Sequence, residues 1–589
     1  MKLFNRSIAK YLSTLALLAL GSAPFAAAQQ EHQGIPQDWS TRHIMFPNGG
    51  SPERMRAASH DVRSWINWSL RSQVLFPHYP VPVARPIHPR ESRVDWAVSL
   101  GSKGGMPIAE TPAKYSFSTN GNITTANCTT DFVVFTIDTT TAATGGQASI
   151  VALNNLYTGT SSSFCPNGAQ SPPTTDYTSA TVMWAYAING VGSTLSPVLS
   201  LDGTKVAYID SGNPANLNIL TWKAGQGTSA TNAAAVGSGS SVVSLPYSNT
   251  TVTGCAAKSD ADGDASPYID YNNDVAYVAD TTRLYRITGV FKGTPTLQYC
   301  TTVTTGGAGY LTSPIYDQVN NTVYISDGLK LYGFTPGATG FTATSPASIT
   351  IASNTTNKYP VILAPYLDST DGFIYEFSGA NASNANAAVS QILTNLSSQV
   401  TASIGPVLSG NTFLLDGDFD NNYWTNGPMS GSGTLYACGD QTGGTKPSLY
   451  ALSFSAPNGL MNTTPAMSNN TNINGASNPA GVCSPLLDFF DGTTDRLFVG
   501  TGALGVTTGA NLITEWNVNT RISSSTTAPT NSATGYWGGS SAFTVDNVSL
   551  EPQAASIYFG TQAAPPTGTT TPCGSGNFCA VKLTQSGLQ

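Results

Sequence analysis

The 589-residue chain is poor in charge, with only 10% of its residues Asp, Glu, Lys or Arg. Histidine stops at His88, and only four glutamates, Glu110, Glu376, Glu515 and Glu551, follow residue 105. No window approaches the roughly 20 consecutive apolar residues of a membrane-spanning helix. Each shortage excludes something. Low charge combined with abundant Gly, Ser, Thr and Asn argues against a helical bundle and for short strands joined by turns. Without histidine beyond His88, a Ser-His-Asp or Cys-His centre in the main body would need an imidazole lent by the N-terminal segment. A His-rich metal site in the main body is excluded on the same ground. The histidines present, His32, His43, His60, His78 and His88, lack ligand spacing, so solvated or packed roles are the plainer reading. Glu376 and Glu515 fall inside strand patterns. Glycoside chemistry needs two carboxyls at a set separation, which spacing along the chain does not supply.

What is present begins with a leader. Lys2, Arg6 and Lys10 precede an apolar stretch Leu12 to Leu20 and an exit Ala26-Ala27-Ala28, so residues 1–28 read as a secretory signal peptide. No cysteine follows directly, which argues against a lipid anchor. In an exported chain the eight cysteines favour disulfides over zinc. Sequential pairing is the most economical connectivity: Cys128–Cys165, Cys255–Cys300, Cys438–Cys483 and Cys573–Cys579. The second and third pairs share a separation of 45 residues, about one repeat length. Charge is unevenly spread. Residues 29–105 hold nine Lys/Arg against six acids, whereas 106–589 hold thirteen against twenty-seven. The acidic main body is a poor nucleic-acid binder.

One phrase recurs in that body: Ser196-Pro197-Val198-Leu199, Ser266-Pro267-Tyr268-Ile269-Asp270, Ser313-Pro314-Ile315-Tyr316-Asp317, Ala364-Pro365-Tyr366-Leu367-Asp368, Gly405-Pro406-Val407-Leu408 and Ser484-Pro485-Leu486-Leu487-Asp488. Repetition of this kind signals a repeat architecture. Each copy leads through a polar turn into an apolar strand such as Val275-Ala276-Tyr277-Val278, usually followed by another such as Arg283-Leu284-Tyr285-Arg286-Ile287. Asp202-Gly203, Asn272-Asn273, Asn320-Asn321 and Asp371-Gly372 supply the positive φ of a two-residue hairpin. The proline sits where a strand starts, and the Asp caps the turn. Weaker copies at Asp131–Leu153 and Ser556–Leu583 bring the count to eight units, or seven if the two ends complete one blade. The expected fold is an all-β, seven- or eight-bladed β-propeller over 106–589, eight preferred, whose ends meet and close the ring.

Residues 29–105 read as a basic, His- and Pro-containing arm with one helix opening at Ser51-Pro52-Glu53, then an extended path through Pro77 to Pro89. Two acidic loops, Asp260-x-Asp262-x-Asp264 and Asp416-x-Asp418-x-Asp420, space carboxylates as a Ca²⁺ loop does, though neither has the terminal Glu of a full EF-hand. Solvated Asp turns are the plainer reading of both. Trp184, Tyr186, Tyr423, Trp424, Trp516 and Trp537 would line either a ligand face or the blade core, and the core is the commoner use.

Through Ser448 to Leu452 and Leu329 to Phe334, the chain resembles pyrroloquinoline-quinone (PQQ)-type and related bacterial β-propeller repeat proteins over roughly 130–585. The Ca²⁺-holding residues and tryptophan signatures of a quinone dehydrogenase are not placed here, so this likeness implies fold and not activity. Through Asp38-Trp39-Ser40, Asp95-Trp96, Pro112 to Phe117 and Asp131 to Phe135, it also resembles a group of exported soil-bacterial proteins without an assigned role. The functional expectation is a secreted, periplasmic or surface-located binding module without catalytic residues. It would recognise a protein or glycan, bind no nucleic acid and need no cofactor beyond a structural Ca²⁺. The alternatives are a polysaccharide hydrolase or lyase with Asp/Glu in the central channel, and a structural surface protein.

Overall fold

The computed structural model describes residues 34–71, 93–117, 126–158, 165, 180–258, 263, 265–303, 309–353, 361–408, 414–440, 447–469, 473, 482–490, 493–502, 511–523, 527–536, 538–546, 556–565 and 573–584. The expected leader, the proline-rich path and the Asp260-Asp262-Asp264 loop lie outside them. Eight sheets of four or five strands, antiparallel but for one short N-terminal strand, stand as the eight blades of a β-propeller. Second strands such as Val275–Ala279 and Phe373–Ser378 are buried at every position, because a radial sheet packs against a neighbour on both faces. The seams hold the core. Val134, Trp184, Val206 and Tyr208 fill that between blades 1 and 2. Tyr436, Leu449, Leu497 and Val499 fill that between blades 6 and 7.

The first strands of the blades are neighbours around the axis. They are Ala113–Phe117, Val198–Leu199, Tyr268–Asp270, Ile315–Asp317, Tyr366–Asp368, Gly417–Phe419, Leu487–Phe490 and Thr544–Asp546. The recurring serine links them: the Thr111, Ser196 and Ser266 amides donate to Ser196, Ser266 and Ser313 Oγ at 2.9, 2.9 and 2.7 Å. Thr111-Pro112 is therefore the blade 1 copy of the phrase. Gly405-Pro406 is not a copy; it ends the outer strand Gln399–Pro406 of blade 5. Blade 6 starts at Leu415-Asp416 with no proline; Gly405-Pro406-Val407-Leu408 matches the other copies in composition alone.

The turns after the first strands are also longer than two residues. Asp270 pairs with Val275, Asp317 with Thr322 and Asp368 with Phe373, so four residues intervene. Positive φ falls on the last of them, at Asp274, Asn321 and Gly372. The capping role of the phrase Asp holds: Asp270 Oδ1 accepts the Asn272 amide at 3.0 Å and Asp368 Oδ1 the Asp371 amide at 2.8 Å.

The ends meet in blade 8. Strand Arg93–Gly101 lies antiparallel to Phe578–Thr584, with Val98 opposite Ala580, so the edge an open ring would expose is covered. All four cysteine pairs are Cys128–Cys165, Cys255–Cys300, Cys438–Cys483 and Cys573–Cys579. The third joins the second strand of blade 6 to the start of blade 7.

Residues 34–71 lie along the axis. Strand β1 (Gly34–Gln37) pairs with the first strand of blade 1, and β2 (Ile44–Met45) runs parallel to that of blade 5. Between and after them come three helices: α1 (Trp39–His43), α2 (Pro52–Ala58) and α3 (Val62–Arg71). The helical stretch expected from Ser51 is interrupted at Ser59-His60-Asp61, where Asp61 Oδ1 accepts the Arg63 amide at 2.9 Å and restarts the helix.

Candidate functional site

The phrase places its Asp at the end of the first strand in blades 3, 4 and 5, at Asp270, Asp317 and Asp368, and Asp416, Asp418 and Asp488 lie on or beside the first strands of blades 6 and 7. Residues 34–71 meet them with arginine. Arg63 is 1% exposed. Its guanidinium donates to Ser40 Oγ, Tyr268 Oη and Ile269 O at 3.0, 3.2 and 2.7 Å and lies over the Tyr268 and Tyr271 rings. Arg54 donates to Ser369 O and Thr370 O beyond the first strand of blade 5. Arg42 reaches Leu486 O and Tyr366 Oη and lies 3.6 and 3.8 Å from Asp416 and Asp418. Arg71 lies 3.7 Å from Asp488 and stacks on Trp424. Four arginines thus address blades 3, 5, 6 and 7. The basic N-terminal segment and the acidic body are two halves of one contact.

Apolar side chains complete the filling. Trp39, Ile44 and Phe46 join the core of blades 2 to 5, and Ile35 and Ile66 pack on Leu201 of blade 2. Trp39 Nε1 donates to Pro267 O at 3.2 Å. His43 is buried with Nδ1 3.1 Å from Ala364 O. Burial, aided by Arg42, lowers its pKa to about 3, so it is a neutral imidazole donating from Nδ1. A cavity of about 60 Å³ remains beside Arg42, Arg71, Asp418 and Asp488.

Desolvation dominates the carboxylates here. Burial raises Asp416 to about 7 against the pull of Arg42, raises Asp495 to about 7, and pushes Asp488 well up, with Asp495 adding to the effect. The Asp416, Asp418 and Asp420 run, read from sequence as solvated turns or a Ca²⁺ loop, is buried and distributed over protein donors. Asp416 accepts from the Leu486 amide and Tyr366 Oη. Asp418 accepts from the Asp488 amide. Asp420 caps the helix Asn421–Asn426 and accepts from the Tyr423 and Thr434 amides. Among the described residues no group of three or more His, Cys, Asp or Glu is placed to hold a metal ion.

The opposite end of the axis, where first strands begin, is crossed by the segment linking blade 8 to blade 1. Ile108 packs on Leu415, with Ile362 and Leu363 beside them, ahead of blades 6 and 5. The result is an open depression of about 620 Å³ with Met106, Ile108, Ile362, Leu415 and Phe578 in its lining and Lys103, Asp138 and Gln562 as its polar groups. Sequence reasoning missed it, because it forms only where the two ends of the chain cross.

The expected acid/base candidates do not come together. Glu376 is on the second strand of blade 5, buried with Oε1 lacking a hydrogen bond, and burial pushes its carboxyl well above the usual range. Glu515 is on blade 7, ion-paired to Arg496 and bonded to Asn531. Glu110 is buried against Thr136 and likewise pushed well up by burial. Trp184, Tyr186, Tyr423, Trp424 and Trp516 are blade core; Trp537 lies outside the described residues.

No protein-family model matches the chain and no curated protein matches it, so neither the PQQ-type repeat family nor the soil-bacterial group is shown. Solved structures do match. A putative 6-phosphogluconolactonase from Bacteroides fragilis is 11% identical, covering 67% of this chain and 96% of its own, with a TM-score of 0.36. Its counterpart from Bacteroides uniformis is 11% identical over 69% and 99% with 0.35, and the Dos1 propeller 9% identical over 83% and 94% with 0.40. These likenesses extend to the β-propeller fold alone.

Proposed function

We propose that the protein is an exported, non-catalytic β-propeller that binds a protein or glycan at the cell envelope, with the 620 Å³ depression and its surrounding rim as the recognition face. The observation that carries this reading is the filled axis. A propeller enzyme working from its central channel needs carboxylates that substrate can reach, whereas here Arg42, Arg54, Arg63 and Arg71 of the same chain occupy that space. The depression has the usual makeup of a ligand seat, a mostly apolar lining with a few polar groups. Export is supported by the leader-like residues 1–28 and by four disulfides, which suit an oxidising compartment.

Glycan and peptide arrays probed with the mature protein, with and without Ca²⁺, test the reading. Binding that is lost in Ile108→Asp, while the circular dichroism spectrum is kept, is the expected result. Silent arrays together with polysaccharide cleavage by the same preparation would overturn it.

A further inference from the structure

The turn closing the first hairpin repeats one arrangement in blades 3 and 4. Asp270 Oδ2 accepts from Asn273 Nδ2 at 2.7 Å, and Asp317 Oδ2 accepts from Asn320 Nδ2 at 2.6 Å. In blade 5 the residue three beyond Asp368 is Asp371, not asparagine. A carboxylate has no hydrogen to donate, and two adjacent buried carboxylates do not both ionise readily. We propose that Asp371 is held as the neutral acid, its O–H donating a hydrogen bond to Asp368 where its counterparts donate an amide N–H, and that this pair is an alkaline-sensitive latch fastening the axial segment to blade 5.

The surroundings fit. Among the described residues both Asp371 oxygens are buried without a hydrogen-bond partner that donates to them. Burial, then the neighbouring Asp368, raises Asp371 to about 8. The other groups facing the pair are Tyr423, whose hydroxyl donates to Asp368 Oδ2 and meets Tyr375 Oη at 2.7 Å, Arg54, and Asp317, which accepts from Ser369 Oγ at 3.2 Å. Among the described residues Arg54 is the cation acting on the pair, and its guanidinium is engaged by Ser369 O and Thr370 O. The axial segment presses directly on this turn. A Cβ on Gly49 would lie 3.0 Å from Asp371 Oδ2. Thr370 Oγ1 donates to Pro47 O at 2.9 Å and the Ser369 amide to Met45 O at 3.1 Å. When the proton leaves to solvent, two like charges face each other beneath residues 45–50.

Two full-length variants and one exchange measurement test this. Asp371→Asn is expected to melt with wild type at pH 6 and above it at pH 9, and to lose the carboxylic-acid carbonyl band that wild type loses between pH 7 and 9. Asn320→Asp is expected to gain the opposite behaviour, a steeper fall in melting temperature over that range. In wild type, amide hydrogen exchange, corrected for its intrinsic pH dependence, is expected to accelerate at residues 45–50 more than in blade 3. Equal pH slopes for wild type and Asp371→Asn, or no selective acceleration at 45–50, would overturn the latch.

Discussion

The seams between blades and the axis they surround are packed by opposite means. Seams are apolar: Val134, Trp184 and Tyr208 in one, Leu449, Leu497 and Val499 in another. Their burial is non-directional and accepts degenerate repeats, as long as the pattern of apolar strands is kept. The axis is polar and specific, because four arginines meet oxygen atoms at fixed places on individual blades. A desolvated ion is stable only where its partners are correctly placed. The seams therefore set what kind of ring forms, and the axis sets how the N-terminal segment sits in it.

The largest expected effect comes from breaking the axis at its most buried cation. Arg63→Ala leaves Asp61 and Asp38 without their neighbouring charge and is expected to cost about 3–5 kcal/mol, read from urea unfolding. If it costs no more than a surface substitution, the polar axis is not structural. Next is pH. Asp317 is raised to about 6, and Asp416 and Asp495 to about 7, by burial, against about 3.9 unfolded. Between those values the folded state holds more protons, so these groups' contribution is complete below about pH 4 and lost as pH rises through 6 to 7. Melting is expected to be higher at pH 5 than at pH 7.5, with about 1.4 kcal/mol per pH unit for each carboxyl protonated only when folded. The reverse trend would show that the carboxylates are held ionised by the arginines. The smallest effect is Ser266→Ala, which removes one blade-to-blade hydrogen bond and is expected to cost about 1 kcal/mol. A zero cost would assign the serine chain to backbone geometry alone.

Much of the ring was legible. Asp270, Asp317 and Asp368 were readable as turn caps because a carboxylate bonding amides two and three residues on is a local event. The sequential disulfides match the most economical pairing, which the sequence favoured without fixing. What failed did so for stated reasons. Gly405-Pro406 shares composition but not position with the phrase, and blades 6 and 8 lack the proline that marks the other six. A second repeat signal passed unnoticed. Asp280 and Asp327 cap the next hairpin through the Arg283 and Lys330 amides and accept Tyr285 and Tyr332 hydroxyls. The charge difference between residues 29–105 and the remainder was visible, but its meaning was not. Arg63 meets Ile269 across 206 positions of sequence and Arg42 meets Leu486 across 444.

The sequence by itself determined the strands, the Asp-capped turn positions and the approximate number of blades, since each depends on residues close together along the chain. Only the tertiary structure decided what fills the axis and where an open depression remains. Those outcomes depend on residues 34–71 packing along the axis and on residues 102–109 crossing its other end, and no local pattern encodes a contact between segments hundreds of positions apart.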